Sequence, residues 1–371
     1  MKKKAIMIFS VLCLGLFLFS GFAVAQDDAG MYAPMFRGNP ARTGVYDGEG
    51  VPVFHDIKWK FQTDDRIYCS PTVADDVIYF GGNDGFLYAV NIETGEELWR
   101  FETGGFVHSS PLVFDGVVFF GSGDNNFYAV DAATGTELWR IETEDWVSTS
   151  AAVRNGYVLF GSRDGTFYSV DASIGFEMWR FKTDVIAYSS PAVAGDTIYF
   201  GSWDGTLYAL NGVSSEELWR FNTGAAIDAT PAVSDGVVYF GSGDKKLYAV
   251  DAETGEKIWR FKAGGRIDSS PAVVGDAVYV GSSNNSLIAV NRDTGKKLWQ
   301  FETGDIVVSS PCVVDGIVYV GSWDGNLYAV DAETGDELWR VETGDSIQSS
   351  PCVVGGVVYF GSWDGCLYAV E

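Results

Sequence analysis

The stretch 309–344, SSPCVVDGIVYVGSWDGNLYAVDAETGDELWRVETG, returns along the chain every 40 residues, and no other property of the sequence restricts its fold so tightly. Its Gly321-Ser322 pair has counterparts at Gly121, Gly161, Gly201, Gly241, Gly281 and Gly361, and as Gly81-Gly82, which makes eight copies. Its Trp339 recurs at Trp99, Trp139, Trp179, Trp219, Trp259 and Trp299, with an eighth at Trp59, ahead of the first complete copy. A period of roughly 20 to 50 residues belongs to solenoids, propellers and arrays, so each motif has to be read inside the repeat.

One copy holds four short apolar runs separated by turn chemistry and shows no helical period, so the unit is all-β. In the seventh copy the runs are 307–314 (strand A), 317–320 (B), 327–330 (C) and 337–341 (D). Asp315-Gly316, Asp324-Gly325 and the loop 331–335 supply the Asp and Gly that tight connections need. Four antiparallel strands in 40 residues make one propeller blade, the architecture that WD40 repeats also build. Eight copies predict an eight-bladed β-propeller in a single domain, 52–371.

Proline stands within run A at Pro71, Pro111, Pro191, Pro231, Pro271, Pro311 and Pro351. It cannot donate to a ladder, so strand A is expected at a sheet edge, lining the central channel. Runs B and C are almost continuously apolar, as buried strands are, whereas D alternates, with Trp339 and Val341 on one face and Leu338 and Arg340 on the other. Strand D therefore belongs at the outer rim. After Glu371 no strand D remains to be written, yet residues 56–61 carry its signature around Trp59 with no A, B or C before them. They are expected to complete the eighth blade and close the ring, which removes free sheet edges. On this reading, deleting 52–62 costs far more stability than deleting 26–46.

At the start, three lysines precede an apolar run, 5–22, followed by Ala23-Val24-Ala25. This is the form of a secretory signal cleaved after Ala25, leaving 26–51 as a lead-in, and it implies export to a periplasmic, extracellular or cell-surface location. A retained membrane anchor stays open, because the run is about as long as the shortest spanning helix. Ser10-Val11-Leu12 before Cys13 is not the small-residue approach that a lipoprotein cysteine needs. No membrane span is expected once the signal is cleaved, and the chain is expected to be a monomer.

The formal charge is −25, carried mostly by repeated Asp-Gly and Asp-Ala-Glu-Thr-Gly turns. Such a chain repels nucleic acid and anionic lipid. Beyond the leader lie Cys69, Cys312, Cys352 and Cys366. Cys312 and Cys352 replace the alanines of other copies and read as small buried residues. Cys69 and Cys352 fall in the A runs of neighbouring blades, which leaves a disulfide open.

The phrase A-x-D-x-x-T-G-x-x-x-W, seen at Ala329, Asp331, Thr334, Gly335 and Trp339, resembles the PQQ-like β-propeller repeat family, and the likeness covers essentially all of 52–371. The lead-in segment 33–44, the one basic and non-repeating stretch, resembles the opening segment of secreted members, with Tyr32-Ala33 where Trp-Pro is common. The resemblance implies structural docking of Trp59, Trp99, Trp139, Trp179, Trp219, Trp259, Trp299 and Trp339 between blades, against the Gly-bearing turn. Copies depart at Ile174-Gly175 and at Ser214-Ser215, so docking of Trp179 and Trp219 is expected to differ. The family holds quinoprotein dehydrogenases with pyrroloquinoline quinone and Ca²⁺. It also holds non-catalytic protein binders such as β-barrel assembly machinery lipoprotein B.

The dehydrogenases it resembles are longer and carry an adjacent Cys-Cys pair, which this chain lacks. The carboxylates recur as turn residues in every blade rather than converging as Ca²⁺ ligands do. Only His55 and His108 are available for base or zinc chemistry. No catalysis, cofactor or metal is therefore expected, with a quinone-dependent dehydrogenase as the alternative.

The residues that vary between copies lie where strand A begins and at the B-to-C turn, which share one face of a propeller. They include Arg66, Tyr68, His108, Trp146, Arg163, Tyr188, Trp203, Asp228, Arg266, Asp268, Trp323 and Trp363. Variable loops on a rigid scaffold are where binding residues concentrate, and Trp, Tyr and Arg are the usual anchors. This face is expected to bind an envelope or extracellular protein, a peptide or a glycan. A purely structural surface or assembly role is the further alternative.

Overall fold

The computed structural model describes residues 35–46, 48–183 and 189–371. The expected leader 1–25, with Cys13, lies outside them, as does Tyr188. Among the described residues, no helix is long and apolar enough to cross a membrane.

The strands form eight four-stranded antiparallel sheets, each read outward A-B-C-D. In blade 7 these are Cys312–Val314, Ile317–Gly321, Asn326–Asp331 and Glu337–Glu342. Pro311 therefore precedes strand A and does not interrupt it. The strand is three residues long here and in blade 3, Ala152–Arg154, where Ala151 replaces the proline. The A–B hairpin turns through Asp315 (φ 48°) and Gly316 (φ 75°), the left-handed pair that matches strand twist.

Ala329 pairs with Trp339 and Val330 with Glu337, so Leu338 is the extra residue of a bulge. The same shift recurs in the other blades and explains the exposed row Leu98, Leu138, Leu218, Leu298 and Leu338. Trp339 and Val341, by contrast, are buried, as the alternation predicted.

The core lies between blades. Tyr279, Leu287 and Ala289 of blade 6 pack on Val318, Val320, Tyr328 and Val330 of blade 7. Burying one such large apolar side chain is worth about 1.5–3 kcal/mol, and every blade repeats the set.

Blade 8 consists of Cys352–Val354, Val357–Gly361, Cys366–Val370 and, as its strand D, Ile57–Gln62. Trp59 pairs with Ala369 beside the same bulge. The two chain ends rebuild the missing C-to-D turn: the His55 and Asp56 N–H groups donate to Glu371 O, and the Glu371 N–H donates to Asp56 O. The ring is closed as the sequence predicted.

The frame tryptophans dock across blades, each on the turn of the following copy. A Cβ added to Gly335 would lie 2.7 Å from the Trp299 ring, and one on Gly95 would lie 2.7 Å from Trp59. Trp59, Trp99, Trp139, Trp219, Trp259 and Trp299 each donate an indole N–H to the carbonyl 33 residues on. This corrects the expectation for Trp219, which docks normally, its Nε1 3.1 Å from Ala252 O. Gly175 serves Trp139, and the Trp179 ring packs on Phe167. Ser215 adopts the left-handed φ of 57° that glycine holds elsewhere. Trp339 of blade 7 faces the eighth copy, whose C-to-D turn is not continuous, and it donates to Val51 O at 2.7 Å and packs on Phe54.

The lead-in is not an appendage. Carbonyls of Pro40, Ala41, Thr43 and Gly44 accept the N–H groups of Val193, Val233, Val273 and Val313, completing the inner edges of blades 4 to 7. Arg42, fully buried, donates to Pro191 O and Ala151 O, and Arg37 donates to Pro311 O and Pro271 O. Burial pushes the Arg42 guanidinium down to about 9 and that of Arg37 to about 10, so both stay charged at neutral pH. The basic stretch is a plug for the channel, and removing 35–46 would strip these bonds from the inner edges of four blades, a cost the sequence reading left out.

On the opposite face, at the departing turns, Ile174, Phe176 and Val213 stand exposed. All four described cysteines are free.

Candidate functional site

Strand A runs away from the variable face, so residues just before it surround the mouth of the channel. Their rings form an unbroken line of contacts across five blades. Trp323 meets Trp363 (centroids 5.1 Å apart), Trp363 meets Tyr68 (5.0 Å) and Tyr68 meets His108 (4.6 Å). His108 stacks on Phe106 at 4.0 Å, and Phe106 meets Trp146 edge-on at 4.9 Å. Arg66 lies over Trp363 at 5.0 Å and Arg163 over Trp146 at 4.4 Å, within cation–π range. Burial pushes the His108 imidazole down to about 4, and its Nε2 lies 3.1 Å from Asn83 Oδ1, so the ring is neutral at physiological pH.

The other side of the mouth is polar. The Trp203 Nε1–H donates to Asp228 Oδ1, and Arg266 bridges Asp228 and Asp268, its Nη2 3.1 Å from each. Burial raises the Asp228 carboxyl above its usual range, with Asp268 adding to the effect and Trp203 and Arg266 opposing it. The structure thus brings together every proposed face residue it describes, in an aromatic arc and a charged arc.

Between the arcs sinks a well of about 160 Å³, lined by Tyr68, His108, Asp228, Asp268 and Gln348 and floored partly by Phe36 of the plug. Eight hydroxyls encircle it: Ser70, Ser110, Ser150, Ser190, Thr230, Ser270, Ser310 and Ser350. Each accepts the main-chain N–H of its counterpart in the preceding blade at 2.9–3.2 Å, and the Ser350 N–H to Ser70 Oγ bond completes the circle. Sequence reasoning missed this ring because a Ser or Thr repeated in every copy reads as frame. Its signal was the Ser-Pro dipeptide just before strand A in six of the eight copies.

Fold and site together define an eight-bladed propeller of the PQQ-like repeat class, with a well at the centre of its variable face. The chain belongs to the family described as outer membrane protein assembly factor BamB, whose profile matches residues 56–145, 128–226 and 204–371. No curated protein matches the sequence.

Among solved structures, BamB from Moraxella catarrhalis is 21% identical with a TM-score of 0.75, covering 85% of this chain and 97% of that one. A europium-containing methanol dehydrogenase is 14% identical with a TM-score of 0.80, covering 91% and 98%. The quinohemoprotein alcohol dehydrogenase ADHIIG from Pseudomonas putida HK5 is 16% identical with a TM-score of 0.79, covering 91% and 80%. At these identities the likeness is one of fold.

The quinone and Ca²⁺ of the catalytic branch do not suit this lining. A quinone with several carboxylates would meet Asp228 and Asp268 in the wall, and the nearby cation, Arg266, is already held between them. Among the described residues no three His, Cys, Asp or Glu side chains are grouped to hold a metal ion.

Proposed function

We propose that this is an exported, non-catalytic binding propeller that holds a protein of the cell envelope on its variable face. The observation that carries the reading is the aromatic arc from Trp323 to Trp146, flanked by Arg66 and Arg163. Trp, Tyr and Arg dominate the energetic centres of protein interfaces, and rings held against one another lose little entropy on binding. The family description, an outer membrane assembly factor, supports an envelope partner, and the apolar leader with its Ala-Val-Ala site supports export. The lining's poor fit to a quinone supports the absence of catalysis.

The test is the triple change of Trp203, Trp323 and Trp363 to Ser, set beside wild type in capture from an envelope fraction. Other copies fill this position with Gly123, Arg163, Gly243 or Ser283, so the blade folds without an aromatic there. The variant should melt near wild type and lose at least about a hundredfold in affinity for the captured protein. Equal capture by both would remove the face from the reading. Quinone-dependent dye reduction after incubation with Ca²⁺ would overturn the non-catalytic part.

A further inference from the structure

We propose that the central well is a separate subsite for one six-membered ring of a neutral sugar. This goes beyond the envelope-partner reading and does not depend on it. Each hydroxyl of the ring is only 4–8% exposed, and that exposure faces the well. Each oxygen accepts one main-chain N–H, and among the described residues none of the eight hydroxyl protons is given to a protein acceptor. Polar hydrogens this buried require acceptors, so the floor is a circle of donors aimed at whatever fills the space.

The wall chooses among occupants. An anion would accept from the floor but lie beside Asp228 and Asp268. A cation would find those carboxylates engaged by Arg266 and Trp203 and would face only donors below. A neutral polyol satisfies both surfaces: its oxygens accept from the serines, and its own hydroxyls donate to Gln348 and Asp268. Tyr68, supported by Trp363 and His108, supplies an aromatic surface for the ring's C–H face. A cavity of about 150 Å³ holds benzene, so a well of about 160 Å³ that opens at the mouth can seat the ring of one sugar while its substituents reach outward.

The experiment titrates the full chain with methyl glycosides of glucose, galactose and N-acetylglucosamine, read by Trp fluorescence and saturation-transfer NMR. Phosphate, glycine and putrescine serve as the charged competitors. At least one glycoside should bind saturably at one per chain. Tyr68→Ala and Gln348→Ala should each weaken it about tenfold. Trp146→Ser, farther along the arc, should leave it unchanged.

A disaccharide that binds more tightly than the monosaccharide assigns the site to the end of a glycan, and equal binding assigns it to a free sugar. Absence of glycoside binding, preference for a charged competitor, or binding indifferent to both Tyr68→Ala and Gln348→Ala would overturn the proposal. The tryptophan triple variant decides the partner reading independently.

Discussion

Ser215 shows how finely the repeat is tuned at single positions. In six other copies the residue beneath the docked indole is a left-handed Gly, with φ between 66° and 79°, and a Cβ there would press into the ring at 2.6–2.8 Å. Ser215, at the corresponding position of its turn, keeps the conformation, at φ 57°, and carries a Cβ there. A side chain in this region costs about 1 kcal/mol or more, which exceeds what glycine loses through the freedom of the unfolded chain. Ser215→Gly is therefore expected to stabilise the protein by about 1 kcal/mol, measured by denaturant unfolding. A loss of stability would show that the turn has repacked around the serine.

Among the elements, the lead-in departs furthest from what its sequence suggested. Arg42 is held by four carbonyls, those of Phe36, Ser150, Ala151 and Pro191. Arg42→Ala should cost about 2–4 kcal/mol, because it strands buried acceptors worth about 1–3 kcal/mol each. Arg42→Lys should restore only part of the loss, since an ammonium cannot fork between separate carbonyls. Recovery of wild-type stability by Lys would show that charge alone matters.

The strands, their hairpins and the closing strand around Trp59 were legible because each leaves a mark every 40 residues in side-chain type. The plug was not, because its bonds run to main-chain groups of strand A and leave no side-chain pattern. Docking between blades was implied by the resemblance, but which turn receives each ring was hidden, because Gly335 shares a phrase with Trp339 although it meets Trp299. The serine circle was visible as letters and invisible as a site, since only closure brings eight copies of one residue onto one axis.

At the scale of the molecule, stability depends on a single seam. Removing 56–62 uncovers Cys366–Val370 as an open edge and deletes Trp59 with its bond to Ile92 O. The truncated chain should melt well below wild type and self-associate through that edge. Adding a synthetic peptide of residues 52–62 should restore both melting temperature and monomeric elution. Rescue by an unrelated peptide of equal length would count against strand complementation.

The seam also sets an order of events. Thr63 bonds Gly365, 302 residues away along the chain. A ribosome adds roughly 5–20 residues each second, so the partner arrives tens of seconds after the first strand is made. Until then that strand has no sheet to join, while seven blades can form behind it from local hairpins. The earliest strand to be synthesised is the last to find its place, and the molecule spends its infancy as an open arc with two uncovered sheet edges.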